Sequence, residues 1–333
     1  MANIREIARR SGVSVGTVSR YLNGIKVRDA NAEAIARVID ELDYRPNILG
    51  RALTKKRSYT IGVLMSNAGN VFVGSSIGRL EAALERVGYS ALFIDFHGDI
   101  DVLMQKIEFL RSRLVEGIVI FSSEVESARL EEMPPFDIPV IVVDNPMPTA
   151  AIDSIVVDNA ESTKEVVSAM LEAGHRSVGV IAPSQATYVG RERLGGWKAA
   201  LAGHGIEVRS RDIQIADSTK AGGYESACSL LEQGEVTALF ACNYYMALGA
   251  LKAVNERGMR PGIEIGFASF DDYDFSDVLF PPLTVIRQPM EQIVDVVIET
   301  MRQRLHGDRA DYGTHVLRCE VVLTDSIRGA TAT

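Results

Sequence analysis

The sequence predicts an α/β chain of two doubly wound lobes carrying a small all-α head, and three observations predict it. From residue 60 onward, short apolar runs alternate with amphipathic stretches. The same alternation starts again after residue 158. Residues 1–57 show helical spacing only and carry the opposite charge sign to the rest. Apolar runs of strand length between amphipathic helices are βαβ units, which build a parallel sheet covered on both faces. A chain of 333 residues is long enough for two such lobes and a head.

The head reads as three helices. Asn3 and Glu6 stand at capping-box spacing, and Ile4, Ile7 and Ala8 form an apolar stripe. Ser11-Gly12 breaks that helix. Ser14 can cap a second one, where Val18 and Leu22 sit four apart, and Asn23-Gly24 ends it. Ile35, Val38, Ile39 and Leu42 mark a third helix, stopped before Pro46. Two short helices joined by a tight turn and buried by a third make a helix-turn-helix. Its second helix would present Val15, Gly16, Thr17 and Arg20 to a DNA major groove.

The next stretch, RPNILGRALTKKR (residues 45–57), holds half a helix. Asn47 can cap it, and Leu49, Ala52 and Leu53 fall on one stripe. Gly50 in its interior costs roughly 1 kcal/mol relative to Ala, and helices shorter than about 12 residues are marginal alone. Such a segment needs a surface to fold against.

Charge supports a polyanion partner for the head alone. The whole chain carries −9, which taken by itself argues against nucleic acid. Residues 1–57, however, hold nine Arg and three Lys against six acids, a net of +6. The remainder holds 23 bases against 38 acids, a net of −15. A basic head on an acidic body is a sign asymmetry of the kind DNA-binding proteins show.

In the body, TIGVLM, ALFIDF, GIVIF and VIVVD are the first set of strands, separated by helices such as IGRLEAALERVG. After residue 158 follow VGVIA, the helix of GGWKAALAGHG, ALFAC and GFASF. Ligands of doubly wound sheets bind beyond the carboxyl ends of the strands. Trp197 and Met246 are expected in the core.

Other classes find little support. No apolar run approaches the roughly 20 residues that span a bilayer, and MANIREIARR lacks the apolar core of a secretory signal. Cys228, Cys242 and Cys319 are too widely spaced for a disulfide framework or a metal site. A reducing, cytoplasmic protein with no cofactor and no metal is expected. GSSIG, residues 74–78, matches the nucleophile-elbow pattern and falls between a predicted strand and a predicted helix, yet none of His97, His175, His204, His306 or His315 sits in a matching context. An enzyme is not expected. Asp271, Asp272 and Asp274 lack the Gly and distal Glu of a calcium loop.

GVSVGTVSRYLNG, followed by VIDELDYRPNILGRAL, closely resembles the LacI/GalR family of bacterial transcription regulators, and the resemblance runs over nearly the whole chain. It implies a helix-turn-helix DNA-binding domain over 1–46, a hinge helix and linker over 47–58, and an effector-binding and dimerisation domain over 59–330. That last domain is implied to have a periplasmic-binding-protein-like fold with three crossings between lobes, near residues 158, 287 and 316. Its N-lobe would hold about 59–157 and 288–315, its C-lobe about 158–287 and 316–330. The implied function is sequence-specific regulation, as a repressor, with operator affinity set by a small molecule between the lobes. The alternative is a binding protein for sugar uptake, which would lack a DNA role. The implied partners are a palindromic operator, a second copy of the chain, and a sugar, sugar phosphate or sugar acid.

The resemblance also carries residue roles. Arg20 matches a base-reading position, with a phosphate contact as the alternative. Val15 and Gly16 stand at the variable reading positions, Thr17, Ser19 and Asn23 look like backbone-positioning residues, and Ser14, the cap of the second helix, is counted with them at the DNA face. Asn47 to Thr54 matches the hinge helix that folds in the minor groove. There Leu53 would be the wedge between base pairs, Lys55 would meet phosphates, and Gly50 replaces the usual Ala. For the effector, Phe72, Asp144, Arg191, Arg193, Asn243, Tyr244, Asp271 and Gln288 are the expected residues. Val71 replaces the family's usual Pro, and Tyr244 stands where an Asp would follow Asn243. A carboxylate and a guanidinium could share sugar hydroxyls, or Arg191 and Arg193 together could grip an anion.

Overall fold

The computed structural model describes residues 3–22, 25–44, 57–147, 151–272, 276–308 and 312–329. The chain divides into two compact units, Met1–Ser58 and Tyr59–Thr333. The first holds α1 (Ile4–Ser11), α2 (Val15–Leu22) and α3 (Asp29–Glu41). The Asn3 side chain caps α1 through the amides of Arg5 and Glu6, both at 3.0 Å. Glu6 does not complete the capping box, because Arg9 and Arg10 draw its carboxylate along the helix. Gly12 ends α1 in the left-handed region, φ 70°, where a side chain would be strained. Ile7, Ala8, Val18, Ile35 and Val38 form the small core of this unit.

The second unit contains two six-stranded sheets. The first has the order β11-β5-β4-β3-β1-β2, made of β1 (Thr60–Met65), β2 (Ser90–Asp95), β3 (Gly117–Phe121), β4 (Val140–Val143), β5 (Asp153–Val157) and β11 (Thr314–Leu317). All its pairings are parallel. The second has the order β12-β10-β9-β8-β6-β7, from β6 (Val178–Ala182), β7 (Ile213–Ile215), β8 (Ala238–Ala241), β9 (Gly266–Phe270), β10 (Thr284–Arg287) and β12 (Glu320–Val322). Helices α4 (Val71–Arg86), α5 (Ile100–Ser112), α6 (Ser127–Glu131) and α11 (Met290–Leu305) belong to the first lobe. Helices α7 (Asn159–Glu172), α8 (Tyr188–Gly203), α9 (Lys220–Glu232) and α10 (Tyr244–Glu256) belong to the second.

The chain therefore crosses between lobes after β5, after β10 and after β11. The third crossing falls at residues 318–319 rather than near 316, because β11 pairs with β5 through Leu317. A further difference is that β12 runs antiparallel to β10. Its cause is the length of that last crossing. After β5 and β10 a helix carries the chain away before the next strand returns. After β11 only two residues intervene, so the strand must enter the second sheet from the carboxyl-end side. Asp158 ties the first crossing to the third: its carboxylate accepts from the Cys319 amide and the Ser162 hydroxyl, both at 2.8 Å.

Two sequence expectations change here. GSSIG lies inside α4, and Ser76 is buried with its hydroxyl on the Phe72 carbonyl at 2.8 Å, so no nucleophile elbow exists. The amphipathic helix predicted from Ile77 begins at Val71, because Asn70 caps it through the Phe72 amide. Trp197 and Met246 are fully buried, as expected.

Helices α9 and α10 approach so closely that a Cβ at Gly249 would collide with the Lys220 carbonyl and the Tyr224 amide. Gly249→Ala should therefore cost roughly 1–3 kcal/mol by overpacking. Gly195, exposed on α8 with open space around its Cα, should tolerate Ala or gain up to about 1 kcal/mol. Urea unfolding of both variants tests the close approach; equal midpoints would refute it.

Candidate ligand cleft and nucleic-acid face

The carboxyl ends of both sheets face one cleft, the place where doubly wound sheets put their ligand. From the first lobe come the loops after β1 and β3; from the second come those after β6, β8 and β9. A cavity of about 1310 Å³ opens there, lined among others by Phe72, Tyr244, Asp271, Arg287, Gln288 and Cys319. The loop after β1 is held in place before it reaches the cavity: Asp95 accepts from the Ala68 amide at 2.8 Å, and the Asn70 amide group donates to Glu124 at 3.1 Å. Val71, where a Pro was expected, leaves this turn intact.

Phe72 is buried and meets Phe121 edge-on at 6.3 Å. Asp271 follows β9 with φ 75°, and its carboxylate accepts from Gln288 at 2.6 Å and from the Tyr244 amide at 3.4 Å. Gln288 lies on the second crossing. Its amide nitrogen is used by Asp271, while its Oε1 is buried without a partner among the described residues. An orphaned buried acceptor costs about 1–3 kcal/mol, so a ligand donor here would relieve it.

Arg193 is buried on α8. Its Nε donates to the Asn159 side chain at 2.8 Å, its Nη1 donates to the Cys242 carbonyl at 2.5 Å, and its guanidinium stacks over Phe270 at 3.4 Å. Asp144, from the first lobe, is also buried, with φ 71°. Burial pushes its carboxyl up to about 7, with Asp271 adding to the rise and Arg193 opposing it. Its side chain has no hydrogen-bond partner among the described residues. Asp144, Arg193 and Asp271 thus form an acid–base–acid group spanning the two lobes.

Two further expected residues are engaged within the architecture. The Asn243 side chain caps α10 through the Met246 amide at 2.7 Å and donates to the Ser218 carbonyl at 3.2 Å. Arg191 is exposed and donates to the Gln185 and Ala186 carbonyls and, across the lobes, to Ser127. Arg191 and Arg193 do not converge as a pair. Sequence reasoning missed Asn159, Asp158 and Tyr245. Asp158-Asn159 after VV was the available signal, a polar pair at a strand end.

In the head, Ser14 caps α2: its hydroxyl accepts from the Thr17 amide at 3.1 Å and pairs with the Thr17 hydroxyl at 2.9 Å. Val15, Gly16 and Arg20 are exposed on one side, while Val18 is buried on the other; Thr17 and Ser19 are half-buried. Asn23, Asn47, Gly50, Leu53 and Lys55 lie outside the described residues.

The Asp144 geometry predicts a pH effect. A carboxyl held near 7 when folded binds its proton more tightly than the unfolded one at 3.8. Its contribution to stability is complete below 3.8 and is lost as pH rises towards 7. From pH 5 to pH 8, wild type should lose on the order of 2 kcal/mol relative to Asp144→Asn. Denaturant unfolding at both pH values measures this, and parallel profiles would contradict it.

Residues 3–47 match the bacterial regulatory proteins of the lacI family, and residues 167–327 match the periplasmic binding protein-like domain. The chain is 30% identical over 335 aligned positions to the ribose operon repressor of Haemophilus influenzae, covering 98% of this chain and 99% of that one. It is 26% identical to the HTH-type transcriptional repressor PurR of Mannheimia succiniciproducens, again over 98% and 99%. Among solved structures, the lac repressor dimer bound to operator and the anti-inducer ONPF superposes with a TM-score of 0.88 at 25% identity, covering 98% of this chain and 99% of that one. The transcriptional regulator CelR in complex with cellobiose shares the fold, with a TM-score of 0.73 at 24% identity over 98% and 100%. On these matches, which span the head and both lobes together, the chain belongs to the lacI family of bacterial regulatory proteins.

Proposed function

We propose that this protein is a DNA-binding transcriptional repressor of the cytoplasm, acting as a homodimer on a palindromic operator and controlled by a small molecule in the interlobe cleft. The observation that carries it is the joining of an exposed, capped α2 on a basic head to a two-lobed body whose cleft holds unsatisfied polar groups. An uptake protein would have no use for that head, and the relatives matched end to end are regulators. Two half-sites require two heads, so operator symmetry mirrors the dimer. Effector binding shifts the populations of lobe arrangements, and with them whether two hinge segments, Leu53 foremost, meet in the minor groove.

The effector is an uncharged, hydroxyl-bearing compound, a neutral sugar rather than a sugar acid or phosphate. Arg191 is spent on loop carbonyls and Ser127, and Arg193 on Asn159, Cys242 and Phe270. An anion would have to approach Asp144 and Asp271, and the arginines that line the cavity are engaged elsewhere: Arg79 on the Ser75 carbonyl, Arg287 with Asp272 and Glu320, and Arg318 with Glu165. Hydroxyl donors, in contrast, suit the Gln288 Oε1 and the Asp144 carboxyl.

Two experiments test these readings. Selection of bound fragments from a random DNA pool should enrich a palindrome, bound with a steep loss of affinity between 50 and 200 mM salt, roughly 10³-fold or more; no enrichment, or a flat salt response, would overturn the DNA role. Thermal shift with neutral sugars, sugar phosphates, sugar acids and purines should show stabilisation by a neutral sugar. At about 100 Kd a ligand adds roughly 2.7 kcal/mol. Stabilisation by acids alone would refute the uncharged effector and return Arg193 to anion binding.

A further inference from the structure

Away from the three crossings, two polar contacts join the lobes among the described residues. The Tyr245 hydroxyl, on the first turn of α10, donates to the Gly69 carbonyl in the loop after β1 at 2.7 Å. The Arg191 Nη2, on α8, donates to the Ser127 hydroxyl at the start of α6 at 3.0 Å, and the Ser127 amide donates to the Ala186 carbonyl at 3.2 Å. Glu126 and Thr187 pair as an isolated antiparallel bridge beside it. Each contact therefore joins a loop of one lobe to a helix start of the other.

Both contacts are built on fixed groups. The Asn243 cap sets the first turn of α10, and the Tyr245 ring packs against that of Tyr244 at 5.1 Å and 73°. Gly69 lies just before Asn70, which caps α4 and so fixes Phe72. At the other contact, Arg191 is braced by the Gln185 and Ala186 carbonyls, and the Ser127 hydroxyl donates to Asn145 at 2.9 Å. Tyr245 thus adjoins cavity-lining Tyr244, Gly69 stands three residues from Phe72, and Asn145 follows Asp144. Neither Tyr245 nor Arg191 lines the cavity.

We propose that Tyr245–Gly69 and Arg191–Ser127 are two clasps that hold the cleft shut and must release together for it to open. They act on the occupant through the walls they join, setting how fast it enters and leaves rather than contacting it. Two rigid lobes hinged at three adjacent crossings separate as bodies, so breaking either contact raises the population in which the other is broken too. The proposal rests on the cleft being the ligand site only for its consequence; the coupling itself needs no ligand.

Amide hydrogen exchange of the full chain, without DNA or effector, tests the coupling. The reporter is the Ser127 amide, which crosses the lobes at the second clasp. Tyr245→Phe removes one hydrogen bond and should raise Ser127 exchange by about 3- to 10-fold, with a larger rise in Tyr245→Ala. The amides of β6 serve as the control for global unfolding and should keep their protection. Ser127 exchange unchanged in both variants, or faster exchange confined to residues 66–72, would show a local contact and overturn the proposal. Because neither operator nor effector is in the experiment, its failure leaves the regulator reading standing, and the converse holds.

Discussion

The guanidinium of Arg193 is the constraint around which the cleft is arranged. A buried cation is costly unless its donors are met, and among the described residues no carboxylate comes within ion-pair distance of it. Its needs are met piecemeal. Asn159, just past the first crossing, takes Nε; the end of β8 offers the Cys242 carbonyl; the end of β9 supplies the ring of Phe270. Three separate strand ends are thereby brought to one point. Asp144 and Asp271 then share the field of this cation without touching it, and burial lifts the Asp144 carboxyl to about 7 against the pull of that cation. The proposed site is thus organised by the protein's own charge before any ligand arrives.

Topology converts that site into a device. Both sheets aim the carboxyl ends of their parallel strands at the cleft, so a loop that follows any strand but β12 can form a wall, and every crossing lies on the same side. Asp158 joins the first and third crossings through one carboxylate, and Gln288 sits on the second while bonding Asp271. The hinge and the site therefore share residues. A change in what Gln288 contacts is a change at the hinge, which is the physical content of coupling between ligand and lobe arrangement.

How much of this the sequence discloses depends on which residues repeat a local rule. Strands such as GIVIF and VIVVD announce themselves because a sheet buried on both faces demands unbroken apolar runs. The head is legible for a similar reason: Asn3, Gly12 and Ser14 each do the work their residue type favours locally. DSIVV of β5 is harder to read, since Asp153 opens it; the buried pair that Arg304 makes with that carboxylate, at 2.7 Å, spans 151 residues. The direction of β12 depends on a two-residue crossing that carries no pattern of its own. Within the cleft, Phe72, Asp271 and Gln288 were reachable through family motifs that place them after strands. Motif position also named Arg191, but it gives no information about which way a side chain turns, and here the guanidinium turns to Gln185, Ala186 and Ser127. Tyr245 had no motif at all, and its partner is a backbone carbonyl that any residue could supply.

The charge division explains why such a body needs a separate head. At −15 the body repels DNA, so affinity for the phosphate backbone has to reside in residues 1–57 with their net +6. One head of that size offers only a few base contacts, Val15 and Gly16 give no hydrogen bond to a base, and Arg20 alone among the exposed α2 residues can read a guanine edge bidentately. Specific binding must then come from two heads acting together and from deformation of the DNA between them. Because pairing supplies what single contacts lack, a modest change in how the lobes of two bodies are disposed is enough to remove it. Weak reading by each head and strong control by the cleft are two aspects of one arrangement.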